Sequence, residues 1–183
     1  MERYKKNFIL TKTENLIFKL LCMYAGRELS KRRIAKLLKV SPTITANAIK
    51  KFERLDLVKV NRINKNLNFV KLNRENELAI DLKRVENLKL IYESGLKNYL
   101  SDLFPGSLII LFGSYAFGED TIDSDIDIAI IGYKGKEVNL KEFEKYLKRE
   151  IRLNFYENIG KINRELRANL FNGIVLKGRI VLK

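Results

Sequence analysis

The spacing of hydrophobic positions changes several times along the chain. Up to residue 54 they recur every three or four residues, which predicts three consecutive helices. Two short alternating runs between residues 57 and 72 then predict a hairpin of two strands. Residues 76–103 again show a helical pattern, and after Pro105 short continuous apolar runs alternate with amphipathic segments. The whole pattern predicts an α+β protein whose last third contains a small mixed sheet.

One apolar run, Leu108 to Phe112, predicts a buried strand that ends in a tight turn at Gly113. Glycine lacks a Cβ, so the backbone at this turn can approach a phosphate closely. Ser114 is expected to open a helix whose N–H groups attract phosphate. Asp125 and Asp127 lie two residues apart in the next apolar run, so both carboxylates should point to one face of a strand.

Two carboxylates about 4 Å apart repel each other by roughly 4 kcal/mol at an effective dielectric constant of 20. A divalent cation with oxygen ligands removes that repulsion and can bridge to nucleotide phosphates. A calcium loop starting at Asp123 is excluded, because Ile128 and Lys134 stand where that loop needs Gly and Glu. A turn that merely feeds a strand stays open as an alternative. Under that alternative, a buried carboxylate at Asp127 would be costly.

The pattern of Gly113-Ser114, ten residues, and Asp125-x-Asp127 resembles the signature of the nucleotidyltransferase superfamily that includes DNA polymerase beta, in particular its minimal nucleotidyltransferase branch. The resemblance covers roughly residues 105–183. It implies that Gly113 and Ser114 hold the triphosphate of an NTP, expected to be ATP. It further implies that Asp125 and Asp127 bind Mg²⁺ or Mn²⁺ and are catalytic, passing a nucleoside monophosphate to a hydroxyl of a protein, a nucleic-acid end or a small molecule.

Family members that transfer nucleotides carry a third carboxylate on the third strand of the sheet. In this chain the expected position is assigned to Asn154, with Arg152 two residues earlier on the same face. Glu150 shares that face but lies about 13 Å from Asn154 along a strand, too far to substitute. The sequence therefore predicts nucleotide and metal binding more strongly than it predicts rapid turnover.

The first 75 residues carry nearly all of the chain's net charge of +14. They hold 19 Lys+Arg and 6 Asp+Glu, whereas the remainder holds 17 and 16. Such asymmetry is typical of a segment that binds a polyanion, most simply nucleic acid. The alternative is that the lysine-rich faces only keep the protein solvated. That alternative would place an excess of positive charge in both halves of the chain, and the excess lies in one.

The three helices and hairpin resemble a winged helix-turn-helix, and the phrase from Ser30 to Thr45 resembles its two-helix core. The resemblance implies that the third helix enters the major groove and that the wing, from Arg62 to Lys65, lies on the DNA backbone. The residues expected to reach bases are Thr43, Thr45 and Asn47. Those expected to hold phosphates are Lys50, Lys51, Arg54, Arg62 and Lys65. Winged helices also serve as protein–protein modules, so that alternative remains open.

These features predict a winged-helix DNA-binding domain (1–75), a connecting helix (76–104) and a nucleotidyltransferase domain (105–183). The chain has no His and a single Cys, Cys22, which excludes Ser-His-Asp triads, His-ligated metals and disulfides within one chain. No apolar run approaches the roughly 20 residues of a membrane helix. A cytoplasmic protein without a membrane partner is therefore expected.

The predicted partners are DNA and nucleotide, with a small all-α protein or a second copy of the chain, forming a homodimer, as further candidates. The all-α partner follows from the resemblance, because minimal nucleotidyltransferases often act with such a protein as antitoxins. The alternative function is accordingly a DNA-binding transcriptional regulator or antitoxin-type protein whose nucleotidyltransferase domain is catalytically degenerate.

Overall fold

The structure is a computed structural model that describes residues 9–63 and 68–180. The chain divides into two compact units, Met1–Asn73 and Arg74–Lys183. Each unit contains both helices and strands, which confirms the predicted α+β class. Within the described ranges, every helix is too short or too polar to cross a lipid bilayer.

The first unit combines three helices with a three-stranded antiparallel sheet of order β1-β3-β2. Its elements in chain order are α1 (Lys12–Met23), β1 (Leu29–Ser30), α2 (Lys31–Leu38), α3 (Pro42–Arg54), β2 (Val58–Arg62) and β3 (Asn68–Leu72). Two consecutive helices followed by a hairpin form a winged helix-turn-helix. The predicted N-terminal fold is confirmed.

Side-chain caps define where the three helices of this unit begin. Thr11 caps α1, because Thr11 and Glu14 satisfy each other's backbone N–H groups in a capping box. The Ser30 and Ser41 hydroxyls cap α2 and α3 by accepting hydrogen bonds from the Arg33 and Ile44 N–H groups. The apolar faces meet in a core whose fully buried members are Ile17, Ala25, Ile34, Ile49, Phe52, Leu57 and Val70. Helix α3 is thereby fixed on the unit with its other face outward.

The second unit is built around a four-stranded mixed sheet of order β6-β5-β4-β7. Its elements are α4 (Glu77–Glu93), α5 (Leu96–Leu103), β4 (Leu108–Phe112), α6 (Gly113–Phe117), β5 (Ile126–Ile131), α7 (Lys141–Leu147), β6 (Ile151–Tyr156), a 3₁₀ turn (Ile159–Lys161), α8 (Arg164–Phe171) and β7 (Ile174–Lys177). Strand β4 pairs antiparallel with β5 and β7, whereas β5 pairs parallel with β6. This is the small mixed sheet that the sequence predicts.

Helix α4, which falls in the predicted connecting segment, packs against α6 of the second unit. Gly118 follows α6 and lies so close to α4 that a Cβ there would meet the Ile80 carbonyl oxygen at 2.5 Å. The N-terminal half of α4 is therefore part of the second unit and not only a connector.

The two faces of β5 have different surroundings. Ile126, Ile128 and Ile130 are fully buried on one face. The other face carries Asp127, Ala129 and Ile131, of which the last two join a core cluster on that side of the sheet. Asp127 therefore lies at the end of an otherwise apolar face.

Candidate functional site

The turn after β4 lies directly against Asp127. Phe112 at the end of β4 pairs with Asp127 on β5, and Gly113 follows with φ of +72°. A Cβ at Gly113 would stand 2.9 Å from the Oδ2 atom of Asp127. Glycine is required here both for the positive φ and for this approach. The structure thus brings the predicted turn and the second predicted acid together.

The two acids differ in their surroundings. Asp125 precedes β5 and its side chain is 26% exposed, whereas Asp127 is half-buried within the strand. Burial raises the pKa of Asp127, the neighbouring Asp125 charge raises it further, and Arg152 opposes both effects. Burial, and then the charge of Asp127, also raise the pKa of Tyr156 on the next strand. The site therefore concentrates negative charge where water is partly excluded.

Arg152 is the residue that β6 places beside this pair. The parallel register pairs Asp127 with Arg152 and Ala129 with Asn154. The Nη2 atom of Arg152 lies 2.9 Å from Oδ2 of Asp125. The prediction that Asn154 occupies the position beside the acids is therefore wrong. Asn154 is one residue pair further along the sheet, and its amide donates to the Arg152 carbonyl at 3.4 Å.

Glu150 does not join Asp125 and Asp127 as a third carboxylate ligand. Glu150 lies at the same edge of the sheet, because its carbonyl accepts a 2.8 Å hydrogen bond from the Ile126 N–H. Its Oε1 atom, however, lies 3.8 Å from Nε of Arg152. Across residues 9–63 and 68–180, no three His, Cys, Asp or Glu side chains converge to hold a metal ion.

A buried polar network, which the sequence analysis missed, holds the loop between the turn and the acid pair. Asp120 is fully buried and accepts from Asn87 Nδ2 at 2.6 Å and from Arg149 Nη2 at 3.3 Å. Lys83, also fully buried, donates to Asp120 Oδ1. Asn87 further donates to the Tyr115 carbonyl at 2.8 Å. The sequence contains a signal for this network, because Lys83 and Asn87 stand among apolar residues on the inward face of α4.

In the first unit, α3 presents an exposed polar face. The predicted DNA-binding residues on that face are Thr43, Asn47, Lys50 and Arg54, all of them exposed. The last three, together with Glu53, line a shallow groove. Ile44 on the same helix is also exposed, at 48%.

Two other predicted contacts on α3 are contradicted. Thr45 is fully buried, and its hydroxyl donates to the Ser41 carbonyl at 3.1 Å, so it does not reach bases. Lys51 Nζ lies 2.8 Å from both Glu14 Oε2 and the Ile9 carbonyl, so its charge serves the fold and not a phosphate.

The wing is described only in part. Arg62 donates to both carboxylate oxygens of Glu53 at 2.7 Å, an exposed pair that a phosphate can replace. Lys65, the other predicted wing contact, lies outside the described residues.

Residues 93–180 match the family model described as a nucleotidyltransferase domain. This part of the chain is a nucleotidyltransferase domain. The match confirms the resemblance seen in the sequence, and it spans the turn, the acid pair and Arg152. A comparison with curated protein sequences found no match.

Some solved structures are weakly similar to the chain. The adhesin competence repressor AdcR of Streptococcus pyogenes is 22% identical, with a TM-score of 0.40, over 56% of this chain and 72% of its own. The zinc-responsive MarR family member ZitR of Lactococcus lactis is 28% identical, with a TM-score of 0.39, over 56% and 68%. A ZitR variant in complex with DNA is 25% identical, with a TM-score of 0.38, over 56% of this chain and 67% of its own. TM-scores this low do not establish a shared fold.

The donor set of the nucleotidyltransferase domain suits one hard divalent cation. Asp125 and Asp127 offer carboxylate oxygens, and Mg²⁺ is commonly held by one or two carboxylates together with substrate phosphates. Gly113 leaves beside Asp127 the space that a side chain would fill. A second divalent ion does not fit equally well, because the neighbouring position on β6 carries the Arg152 guanidinium.

Proposed function

We propose that the nucleotidyltransferase domain binds a nucleoside triphosphate, with ATP as the expected one, and transfers its nucleoside monophosphate to a hydroxyl acceptor. The observation that carries this proposal is the close approach of Gly113 to Asp127, with Asp125 two residues away. A triphosphate laid over this turn comes within reach of both acids. If the turn only connected two strands, burial of the Asp127 carboxylate would cost free energy and serve no function.

The proposed roles follow from position. Gly113 and Ser114 contact the phosphates, Gly113 through its backbone and the half-buried Ser114 through its N–H or hydroxyl. Asp125 and Asp127 hold Mg²⁺ or Mn²⁺. When bound, such an ion stabilises the negative charge that develops on the transferring phosphoryl group. Burial of Asp127 excludes water from one side of the site and strengthens each electrostatic contact made there.

The direct test supplies α-³²P-labelled NTPs, one at a time, to the full chain with Mg²⁺ and protein, nucleic-acid and small-molecule acceptors. Labelled product is expected with the wild type, and Asp127→Asn should abolish it. Asp102→Asn, an exposed acid on α5, should leave labelling unchanged. Equal labelling by the Asp127 variant and the wild type would remove the acid pair from the mechanism.

A second candidate function is a regulator whose nucleotidyltransferase domain binds nucleotide without transferring it. Arg152 beside Asp127 and the lack of a three-acid cluster in the described residues favour it. Under this candidate, calorimetry detects Mg-ATP binding that Asp127→Asn weakens, while no acceptor becomes labelled. Binding together with labelling supports the transferase.

We further propose that the winged-helix unit binds DNA through the exposed face of α3. Its support is the net charge of the first 75 residues together with the exposure of Lys50 and Arg54. Binding to duplex DNA should weaken steeply with salt. Each of Lys50→Ala and Arg54→Ala should reduce the slope of log K against log salt by about 0.9. Lys12→Ala on α1 serves as the exposed control.

The protein partner also stays a proposal. Light scattering of the purified chain distinguishes a monomer from the predicted homodimer, and co-purification tests the predicted small all-α protein. If the chain does not bind duplex DNA, or if neither Lys50→Ala nor Arg54→Ala reduces the salt slope, the unit is better explained as a protein–protein module.

A further inference from the structure

Arg152 contacts the acid pair with an exposed side chain. It lies opposite Asp127 in the parallel register, and its guanidinium is 2.9 Å from Asp125 and 3.8 Å from Glu150. The Arg152 side chain is 58% exposed. Ion pairs of such exposure are weak and exchange readily, so the guanidinium can leave Asp125 when a stronger partner arrives.

The contact with Asp125 has a consequence for metal binding. The guanidinium occupies an Asp125 oxygen that a divalent ion held by Asp125 and Asp127 would need. A fixed positive charge beside that position also repels the ion. Arg152 therefore competes with free metal for the acid pair.

The same group has the opposite effect on a triphosphate. A guanidinium presents its N–H donors as a planar fork, which matches the spacing of phosphate oxygens. The fork stands at the edge of the sheet where the turn at Gly113 meets Asp127. A triphosphate at that turn supplies oxygens of higher charge than the single carboxylate of Asp125.

We propose that Arg152 is a resident cation of the site that pairs with Asp125 in the protein without nucleotide and moves to the phosphates when nucleotide binds. The proposal rests on the proposed function, since it takes the turn and acid pair as the nucleotide site. It makes Arg152 a ligand-binding residue and makes metal binding depend on nucleotide. Free metal binds weakly, and metal and nucleotide each strengthen the binding of the other.

The test measures two affinities whose changes have opposite signs. Mn²⁺ binding without nucleotide is followed by electron paramagnetic resonance, and binding of the non-transferable analogue AMPCPP with Mn²⁺ is followed by calorimetry. Arg152→Gln should raise the affinity for free Mn²⁺ by about three- to tenfold, because a repelling charge and a competitor are removed. It should lower the affinity for AMPCPP by about tenfold or more, because charge-assisted hydrogen bonds to phosphate are lost.

Two further variants separate charge from geometry. Arg152→Lys keeps the positive charge, so its free Mn²⁺ affinity should stay near that of the wild type while AMPCPP binding falls part-way. Arg179→Gln removes an exposed arginine that follows β7, at the end of the sheet away from Gly113, and should change neither affinity. Far-UV circular dichroism checks that each variant is folded.

The changes in the two affinities decide whether the proposal holds. Opposite changes in Arg152→Gln support the proposal. An Mn²⁺ affinity that falls or does not change overturns it, and a rise in both affinities overturns the transfer to phosphate. If the wild type binds no AMPCPP at all, the proposed function fails, while tighter Mn²⁺ binding by Arg152→Gln would still show the competition. A purely structural role for Arg152 would lower both affinities together.

Discussion

Asp120 is expected to be the residue on which the loop between the turn and the acid pair most depends. It is fully buried and accepts hydrogen bonds from Lys83, Asn87 and Arg149. Asp120→Asn preserves the shape of the side chain but removes the negative charge that both cations contact. Removing one partner of a buried ion pair destabilises a protein by about 3–5 kcal/mol, since the remaining charge stays buried.

The structure predicts a smaller effect for Lys83→Met. After that change, Asp120 still accepts from Asn87 at 2.6 Å and from Arg149 at 3.3 Å, and the methionine fills much of the space. The loss is then about 1.5–3 kcal/mol, of the order of one charged hydrogen bond. Asp120→Asn should therefore lower the free energy of unfolding by roughly 2 kcal/mol more than Lys83→Met.

The assay must isolate the second unit, because two units can unfold separately. Hydrogen exchange of the full chain, read on peptides that contain β4 and β5, gives the opening free energy of the sheet. Urea unfolding followed by circular dichroism supplies the global value, as the chain has no Trp. Asp81→Asn, an exposed acid on α4, is the matched control and should stay within about 0.5 kcal/mol of wild type. Equal losses for Lys83→Met and Asp120→Asn would refute the charge argument and leave packing as the cause.

The remaining predictions concern single positions. Gly113→Ala should destabilise the domain by about 1–2 kcal/mol and abolish nucleotide binding, because φ is +72° and the new methyl group meets Asp127 at 2.9 Å; Gly135→Ala, with open space around it, is the control. Burial raises the pKa of Asp127, so its ionisation at neutral pH destabilises the folded state relative to the unfolded one. Asp127→Asn should accordingly raise the melting temperature at pH 7, with a gain that shrinks as the pH falls through the raised pKa and vanishes below the ordinary value of 3.8. Lys51→Ala should cost about 1 kcal/mol through the loss of its contacts with Glu14, yet leave the salt slope of DNA binding unchanged in a filter-binding titration.

The strand–turn–strand of the site could be predicted because its signals are local. Strand β4 is a continuous apolar run that ends at a glycine, and β5 carries Ile126, Ile128 and Ile130 on one face and Asp127 on the other. The spacing of two between Asp125 and Asp127 then fixes a shared face whatever the rest of the fold does. Only the pairing of Phe112 with Asp127, which brings the turn to the acid, required the structure.

The residue beside the acids could not be predicted in the same way. Arg152 and Asn154 are two apart on β6, so they share a face and alternation cannot choose between them. The choice depends on the register of a parallel pair, which a hydrogen bond from the Ile126 N–H to the Glu150 carbonyl sets at its start. Such a register is a tertiary property that no local pattern encodes.

On α3 the error had a different origin. The helical period places Thr45 with Ala48, Ile49 and Phe52, at spacings of three, four and seven, and these four are the buried residues of the helix. Judging Thr45 by its hydroxyl alone placed it on the wrong face of the helix. The hydroxyl is satisfied inside the helix by the carbonyl of Ser41, four residues earlier, which removes the usual objection to burying threonine.

We expect binding and transfer to be separable in this domain, because the proposed function assigns them to different residues. In that proposal, binding of a triphosphate depends on the turn at Gly113 and on the acid pair, and the buried network around Asp120 holds the loop that joins them. The rate of transfer depends on how well developing charge is stabilised and on a group that accepts the acceptor's proton. Arg152 supplies a positive charge but cannot accept a proton, since a guanidinium stays protonated in proteins. We therefore expect Arg152 beside Asp127 to preserve nucleotide binding and to slow transfer, so the proposed transferase is a slow one with intact nucleotide affinity.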